Sequence, residues 1–190
     1  MDDAAAERVR TAMAVTDRRG FLPADQREHA GRDVPLAIGH GATCSQPSTV
    51  ARMLTLLEPG PGHRVLDVGS GSGWTTALLA RLVAPGGRVV GVELEPDLVV
   101  AGASNLAASA AVGARIVPAS PGVLGLPDEA PFDRVLVSAE PPILPAALVE
   151  QMAVGGRMVI PVAGELLVVD RGPEGISTRG VGAYRFVPLR

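Results

Sequence analysis

The run Val65-Leu66-Asp67-Val68-Gly69-Ser70-Gly71-Ser72-Gly73-Trp74 constrains the fold more than any other stretch of this 190-residue chain. Residues that read as a buried strand stop at a Gly-x-Gly-x-Gly turn, and residues 75–82 then read as a helix. Glycines at such a junction let the backbone approach a ligand closely, with amide N–H groups pointing out of the turn. A tight strand-to-helix connection with no ligand is the plain alternative. A strand of this apolar character belongs in a parallel sheet covered by helices on both faces.

The surrounding texture agrees. Residues 88–93 read as a second strand, 96–111 as a helix, 115–117 as a short third strand and 132–139 as a fourth. A helix at 145–152 ends at Gly155-Gly156. Runs at 157–162, 165–170 and 184–189 supply three late strands without intervening helices. This alternation predicts an α/β fold: a Rossmann-like, doubly wound, mostly parallel sheet with an antiparallel C-terminal edge. Upstream, 4–18 carries helical spacing. Ser45-Gln46-Pro47 opens a helix through Val50, Met53, Leu54 and Leu57, with Ser45 or Gln46 as the cap and Pro47 in the first turn, where its missing N–H costs nothing. The intervening 20–41 is a poor candidate for any regular element. One domain over 1–190 is expected, with a helical, substrate-facing segment at 1–58 and a ligand-binding core at 59–190.

Composition closes off several classes. Hydrophobic residues make up 47% of the chain but aromatics only 3%, so the core must be built from Ala, Val and Leu. A net charge of -3 removes the basic footprint of a nucleic-acid binder. One Cys excludes a disulfide framework within the chain and a cysteine-rich zinc site. His29, His40 and His63 lack ligand spacing, so no metal is expected. The start, MDDAAAERVR, is unlike a secretory signal, and no apolar run reaches the ~20 residues of a membrane span. A cytoplasmic protein with no membrane partner is the expectation.

The spacing within the turn separates two ligand classes. A dinucleotide fingerprint has Gly or Ala at its sixth position, so that helix and strand pack closely around a pyrophosphate. That position is Trp74 here, and Asp67 stands two residues before the first glycine. The pattern Asp-x-Gly-x-Gly-x-Gly resembles motif I of S-adenosylmethionine-dependent methyltransferases. The resemblance implies that Asp67, Gly69, Ser70, Gly71 and Gly73 bind S-adenosylmethionine and its product S-adenosylhomocysteine at the methionine end and ribose. Glu93 closes the second strand, where a carboxylate can accept both ribose hydroxyl hydrogen bonds. A solvated loop acid is the alternative, which suits Glu95 better.

Two further segments narrow the class. Leu36-Ala37-Ile38-Gly39-His40-Gly41-Ala42-Thr43-Cys44-Ser45-Gln46-Pro47 resembles the signature upstream of motif I in protein-L-isoaspartate (D-aspartate) O-methyltransferases. Ala130-Pro131-Phe132-Asp133, Pro141-Pro142-Ile143-Leu144-Pro145 and Gly155-Gly156-Arg157 resemble that family's fourth strand, helix and fifth strand. Tyr184-Arg185-Phe186-Val187-Pro188-Leu189 is similar to the ending that closes its sheet. This family esterifies an isoaspartyl, or aspartyl, side-chain carboxylate of a protein or peptide. The resemblance implies that Ser45 faces the reacting carboxyl group and the methyl donor, with Thr43 a second catalytic candidate and His40 and Val187 candidate substrate contacts. A plain helix cap is the other reading of Ser45.

The chain departs from the pattern at His40, Ala42 and Ser48, and the family's Gly-Asp-Gly beside the adenine is Ser120-Pro121-Gly122. These departures keep two alternatives open: a specialised enzyme forming aspartimide in a ribosomally made peptide of lasso or graspetide type, and a non-catalytic cofactor-binding module. An amine or amide N-methyltransferase would carry an aromatic after Pro141-Pro142, where Ile143 stands. A carboxylate is nucleophilic at neutral pH, so the implied chemistry needs no general base and no catalytic triad. Cys44 beside Ser45 reads as a small buried residue rather than a nucleophile. The oligomeric state is not legible.

Overall fold

The computed structural model describes residues 3–190. Its strands are β1 (Leu36–Gly39), β2 (Ala42–Cys44), β3 (Arg64–Val68), β4 (Arg88–Glu93), β5 (Ala114–Pro118), β6 (Phe132–Val137), β7 (Met152–Val162), β8 (Glu165–Gly172) and β9 (Gly175–Ala183). Its α-helices are α1 (Asp3–Val15), α2 (Pro47–Leu57), α3 (Trp74–Val83), α4 (Pro96–Ala108) and α5 (Ala146–Glu150). A seven-stranded sheet has the order β5-β4-β3-β6-β7-β8-β9. The first five strands in that order pair in parallel, and β8 and β9 add antiparallel edges, as the alternation predicted.

The two faces of this sheet are covered unequally. Val65 and Val89 face a cluster shared with α1, α2, α3 and α4, which includes Val9, Leu54, Leu78 and Leu106. Leu66, Val68, Val90 and Val92 face the other way, onto Phe132, Leu148 and Met158. That second face carries the five-residue α5, the segment around 119–131, and Leu144 and Leu189. The strands are nonetheless sealed: Leu66, Val135 and Ile160 have essentially no exposed surface. Among the described residues no helix is long and apolar enough to cross a membrane.

Four expectations need correction. Segment 20–41 is not irregular throughout: it holds two 3₁₀ turns, Arg18–Phe21 and Ala24–His29, and β1, which pairs with β2 as a hairpin. Strands of four and three residues are too short for alternation to register. Second, the helix expected at 145–152 is only Ala146–Glu150, and β7 starts at Met152. Gly155, at φ 84°, then sits in a register shift of the β6–β7 pairing rather than closing a helix. Third, the last strand is Gly175–Ala183, whose residues are nearly all exposed and show no apolar alternation.

Fourth, 184–189 is not a strand of the sheet. Its only ladder contact is an isolated bridge between Glu140 and Pro188. The Glu140 carboxylate accepts from the Gly164 N–H at 2.8 Å and the Phe186 N–H at 3.1 Å. Backbone bonds from Glu140 N to Val187 O and from Leu189 N to Glu140 O draw this terminal segment across the end of β6.

Candidate active site

The chain leaves β3 toward β4 and β5, then returns on the other side of β3 as β6. Such a reversal opens a crevice at the carboxyl ends of the strands, where ligands of open α/β sheets bind. Here it is a cleft of about 590 Å³, reached by Gly69 after β3, Glu93 of β4, Ala119 after β5 and Ser138 after β6.

The first wall is backbone. Gly69, Gly71 and Gly73 take φ values of 76°, 54° and 90°, the left-handed region that a side chain disfavours. Gly69 N and Ser70 N both donate to Val92 O, which ties the turn to β4. Behind the turn runs α4, brought close by Gly102: a Cβ there would lie 2.8 Å from Gly71 O. Asn105 Nδ2 on the same helix donates to Ser72 O.

Two carboxylates support this wall differently. Asp67 is fully buried and does not line the cleft; its Oδ2 accepts from the Thr75 and Thr76 hydroxyls at 2.9 and 2.7 Å, and its Oδ1 has no partner. Burial pushes its pKa up to about 6, the two threonine bonds oppose the rise, and the Glu93 charge adds to it. Ser70 lines the cleft, but its hydroxyl is also buried without a partner, packed over Gly91. Glu93 does line the cleft. Its Oε2 accepts from Gly71 N, and its Oε1 from Leu94 N and Glu95 N. Those bonds occupy three of the carboxylate's roughly four acceptor sites, so about one remains for a ligand instead of the two expected.

The second wall is held by side chains. Thr43 and Ser45 both line the cleft. Ser45 is not a helix cap: α2 has Gln46 at that position with no side-chain capping bond. Asp33 serves the helix instead, accepting from Ser48 N at 2.8 Å and from Gln46 Nε2 at 3.1 Å. The bonds from Ser48 and Gln46, with the nearby Arg18 charge, hold the Asp33 carboxyl below its ordinary value. No hydrogen bond engages the Ser45 hydroxyl among the described residues, which leaves it available to a substrate. Cys44 is buried, and burial raises its thiol pKa, which removes thiolate at neutral pH.

Arg18 fixes the Ser45 backbone. Its guanidinium donates to the carbonyls of Ala30, Arg32, Val34, Cys44 and Ser45, at 2.8 to 3.4 Å. The same group lies 5.5 Å from the Trp74 ring centroid, and Trp74 Nε1 donates to Thr16 O. One buried cation therefore joins the Ser45 loop to the start of α3. Sequence reading gave no sign of this, because an arginine flanked by polar residues normally reads as surface.

Segment 119–125 and the terminal residues 187–190 complete the lining. Gln151 anchors the former: Oε1 accepts from Leu126 N, and Nε2 donates to Leu124 O and Ala147 O. Val187 lines the cleft as expected, but His40 does not. His40 occupies the β1–β2 turn, with Nδ1 3.5 Å from Glu95 Oε2 and Nε2 3.2 Å from Asp97 Oδ2. Glu95 is not the solvated acid expected, since it also pairs with Arg190 at 2.6 Å. Ser48 is likewise outside the lining, while Ala42 is inside it. Asp33, Gln151, Glu140 and Gly102 escaped the sequence reading as well; only Gly102, a glycine inside a helical pattern, carried a usable signal. Among the described residues no group of three His, Cys, Asp or Glu could hold a metal.

Comparison with known proteins agrees in fold and sequence. The family model described as protein-L-isoaspartate (D-aspartate) O-methyltransferase matches residues 3–190. A protein-L-isoaspartate O-methyltransferase of Aeropyrum pernix is 46% identical over 187 residues, covering 96% of this chain and 72% of the relative. A solved protein-L-isoaspartate O-methyltransferase superposes with a TM-score of 0.88 at 22% identity, over 98% of this chain; this chain spans 62% of that longer one. A Plasmodium falciparum crystal structure, described as a protein-L-isoaspartate O-methyltransferase in complex with S-adenosyl-L-homocysteine, superposes with a TM-score of 0.84 at 27% identity, covering 100% of this chain and 92% of that one.

Proposed function

The chain belongs to the protein-L-isoaspartate (D-aspartate) O-methyltransferase family, and from that premise we propose that it transfers a methyl group from S-adenosylmethionine to the side-chain carboxylate of an isoaspartyl residue in a protein or peptide. The observation that carries this reading is that one cleft is lined both by the glycine turn with Glu93 and by Thr43 and Ser45. The Plasmodium falciparum structure was described with S-adenosyl-L-homocysteine, the product such a transfer leaves.

The residues fit that cofactor. Gly69 lines the cleft at φ 76°, a backbone conformation that a side chain disfavours, so the turn presents its main chain there. Glu93 keeps an acceptor site for a ribose hydroxyl, and the unpartnered Ser70 hydroxyl lies on the same wall. When bound, S-adenosylmethionine supplies an electrophilic methyl carbon on a sulfonium sulfur. The protein's part is alignment. Ser45 donates its hydroxyl proton into a hydrogen bond with one oxygen of the acceptor carboxylate and so turns the other oxygen toward the methyl carbon. The oxygen–carbon bond forms as the carbon–sulfur bond breaks, and no proton moves. Opposite charges neutralise as this happens, so walls built from Val68, Val92, Pro141 and Ile143 help by keeping water out.

The ester carries the reading one step further. Attack by the next backbone amide nitrogen on the ester carbonyl forms a succinimide and releases methanol; hydrolysis of the ring then returns some normal aspartyl linkage. Two of the three departures that favour a dedicated peptide substrate, His40 and Ser48, lie outside the cleft, and their side chains are engaged locally, His40 by Glu95 and Asp97 and the Ser48 hydroxyl by the Gln46 amide. This supports isoaspartyl repair over aspartimide synthesis on one precursor. Labelled methyl transfer to short unrelated isoaspartyl peptides, to their aspartyl counterparts and to a constrained aspartyl precursor separates the readings. Methylation of the isoaspartyl set alone is expected. Activity on the precursor alone overturns repair, and no transfer to any leaves a binding module.

A further inference from the structure

We infer that the purine end of the cleft holds the base by apolar contact and does not read its 6-position, so that adenine and hypoxanthine nucleosides bind almost equally well. This deepens the cofactor reading above and rests on it. With Glu93 at the ribose, the base lies beyond the ends of β4 and β5, between Leu94 and segment 119–125. The side chains offered there are Leu94, 44% exposed, Val123, 42% exposed, and Leu124, with Pro121 between them. Apart from Glu93, and Arg190 whose guanidinium is paired with Glu95, the cleft lining among the described residues has no charged, carboxamide or imidazole side chain.

Adenine and hypoxanthine present inverted patterns at this edge. Adenine offers an amine donor beside the N1 acceptor, whereas hypoxanthine offers a carbonyl acceptor beside an N1–H donor. A fixed acceptor aimed at the amine would face the hypoxanthine carbonyl and reject it strongly, whereas an apolar wall cannot make that distinction. The one polar side chain on the segment, Ser120, is an exposed hydroxyl that serves as donor or acceptor and so suits either base. Much of the local backbone is already engaged: Ala119 N with Glu93 O, Val123 N with Ser120 O, Leu126 N and Leu124 O with Gln151. Pro121 has no N–H to give. The half-exposed flanking residues leave the 6-position in contact with water, which satisfies an amine and a carbonyl alike.

Calorimetric titration of the full chain with S-adenosylhomocysteine and with its deaminated counterpart, S-inosylhomocysteine, tests this without any turnover. Dissociation constants within about fivefold of each other are expected for an apolar site; a larger preference for either base overturns the proposal. Leu94→Ala should weaken both ligands by the same factor, and unequal losses would also count against it. If S-adenosylhomocysteine itself fails to bind, the cofactor reading falls and this proposal falls with it. Tight binding of S-adenosylhomocysteine with rejection of the inosine analogue sinks only the proposal.

Discussion

The part of the cleft lining that runs from Val68 to Leu94 comes from one stretch of chain, whereas the second wall gathers 42–45, 141–145 and 187–190 from remote places. The first is shaped by missing atoms: glycines at positive φ, and Gly102 letting α4 touch the turn. The second is shaped by side chains that reach across the sequence. Arg18 spans 27 positions to hold Ser45 O, and Glu140 spans 46 to hold Phe186 N. A backbone cradle specifies where a common cofactor sits; a wall of long-range side-chain bonds can be altered piece by piece. Substrate differences within such a fold therefore belong on the second wall.

The heaviest blow to the first wall should come from Gly102→Val. Its side chain would overlap Gly71 O and Ile116 Cδ1, so overpacking should cost about 1–3 kcal/mol of stability, read by thermal or urea denaturation. S-adenosylhomocysteine affinity should collapse with it, because the turn must move. Undiminished affinity would mean that close packing against α4 does not set the cradle.

On the second wall, Ser45→Ala should leave the first one untouched. Loss of a hydrogen bond to a charged acceptor predicts a drop in turnover worth about 1.5–3 kcal/mol, with S-adenosylhomocysteine affinity nearly unchanged. Melting temperature should hold too, because Asp33 rather than Ser45 serves the α2 terminus. A variant that melts earlier yet turns over normally would return Ser45 to a structural role.

The mildest substitution separates the walls by pH. Asp67 has its folded pKa raised from 3.8 to about 6, chiefly by burial. Between those values the folded chain holds a proton that the unfolded chain has released, so this contribution to stability is present at low pH and lost as pH rises through about 6. Asp33 runs the other way: its pKa is lowered, so its contribution is present above the unfolded value and lost as the solution is acidified below it. Asp67→Asn keeps an acceptor for the threonines and removes the ionisation. Melting curves from pH 4 to 7 should then fall less steeply with pH in the variant, by at most about 3 kcal/mol across the window. Parallel curves for the two proteins would show that Asp67 ionises freely despite its burial.

The same contrast explains what could be read beforehand. β3, the glycine turn, α3 and β4 were legible because strand, turn and helix signals are local, and the strand over 88–93 appeared with its bounds intact. Asp67 is expected at the ligand, yet the structure buries it beneath the turn and outside the cleft lining, because sequence does not distinguish a residue that touches a ligand from one that supports the loop doing so. The β1–β2 hairpin was hidden by its brevity and β9 by its exposure. The ending at 184–189 has strand-like residues, yet Glu140 captures its backbone and carries it over the cleft, a long-range contact with no local trace. His40 was assigned to substrate by its place in a signature, while the turn geometry directs it to the acids at the start of α4.

Trp74 is the single tryptophan of the chain. Its indole is fixed where three parts meet: Thr16 O accepts its N–H, the Arg18 cation lies against its ring, and its own residue follows Gly73 and lines the cleft. The tryptophan fluorescence of the whole protein therefore arises at one place, beside the cradle and the Ser45 loop. Filling of the glycine turn and displacement of the hairpin act on the same chromophore. Unlabelled protein thus carries its own optical reporter, and its emission follows events at the junction of the two walls without interference from any other indole.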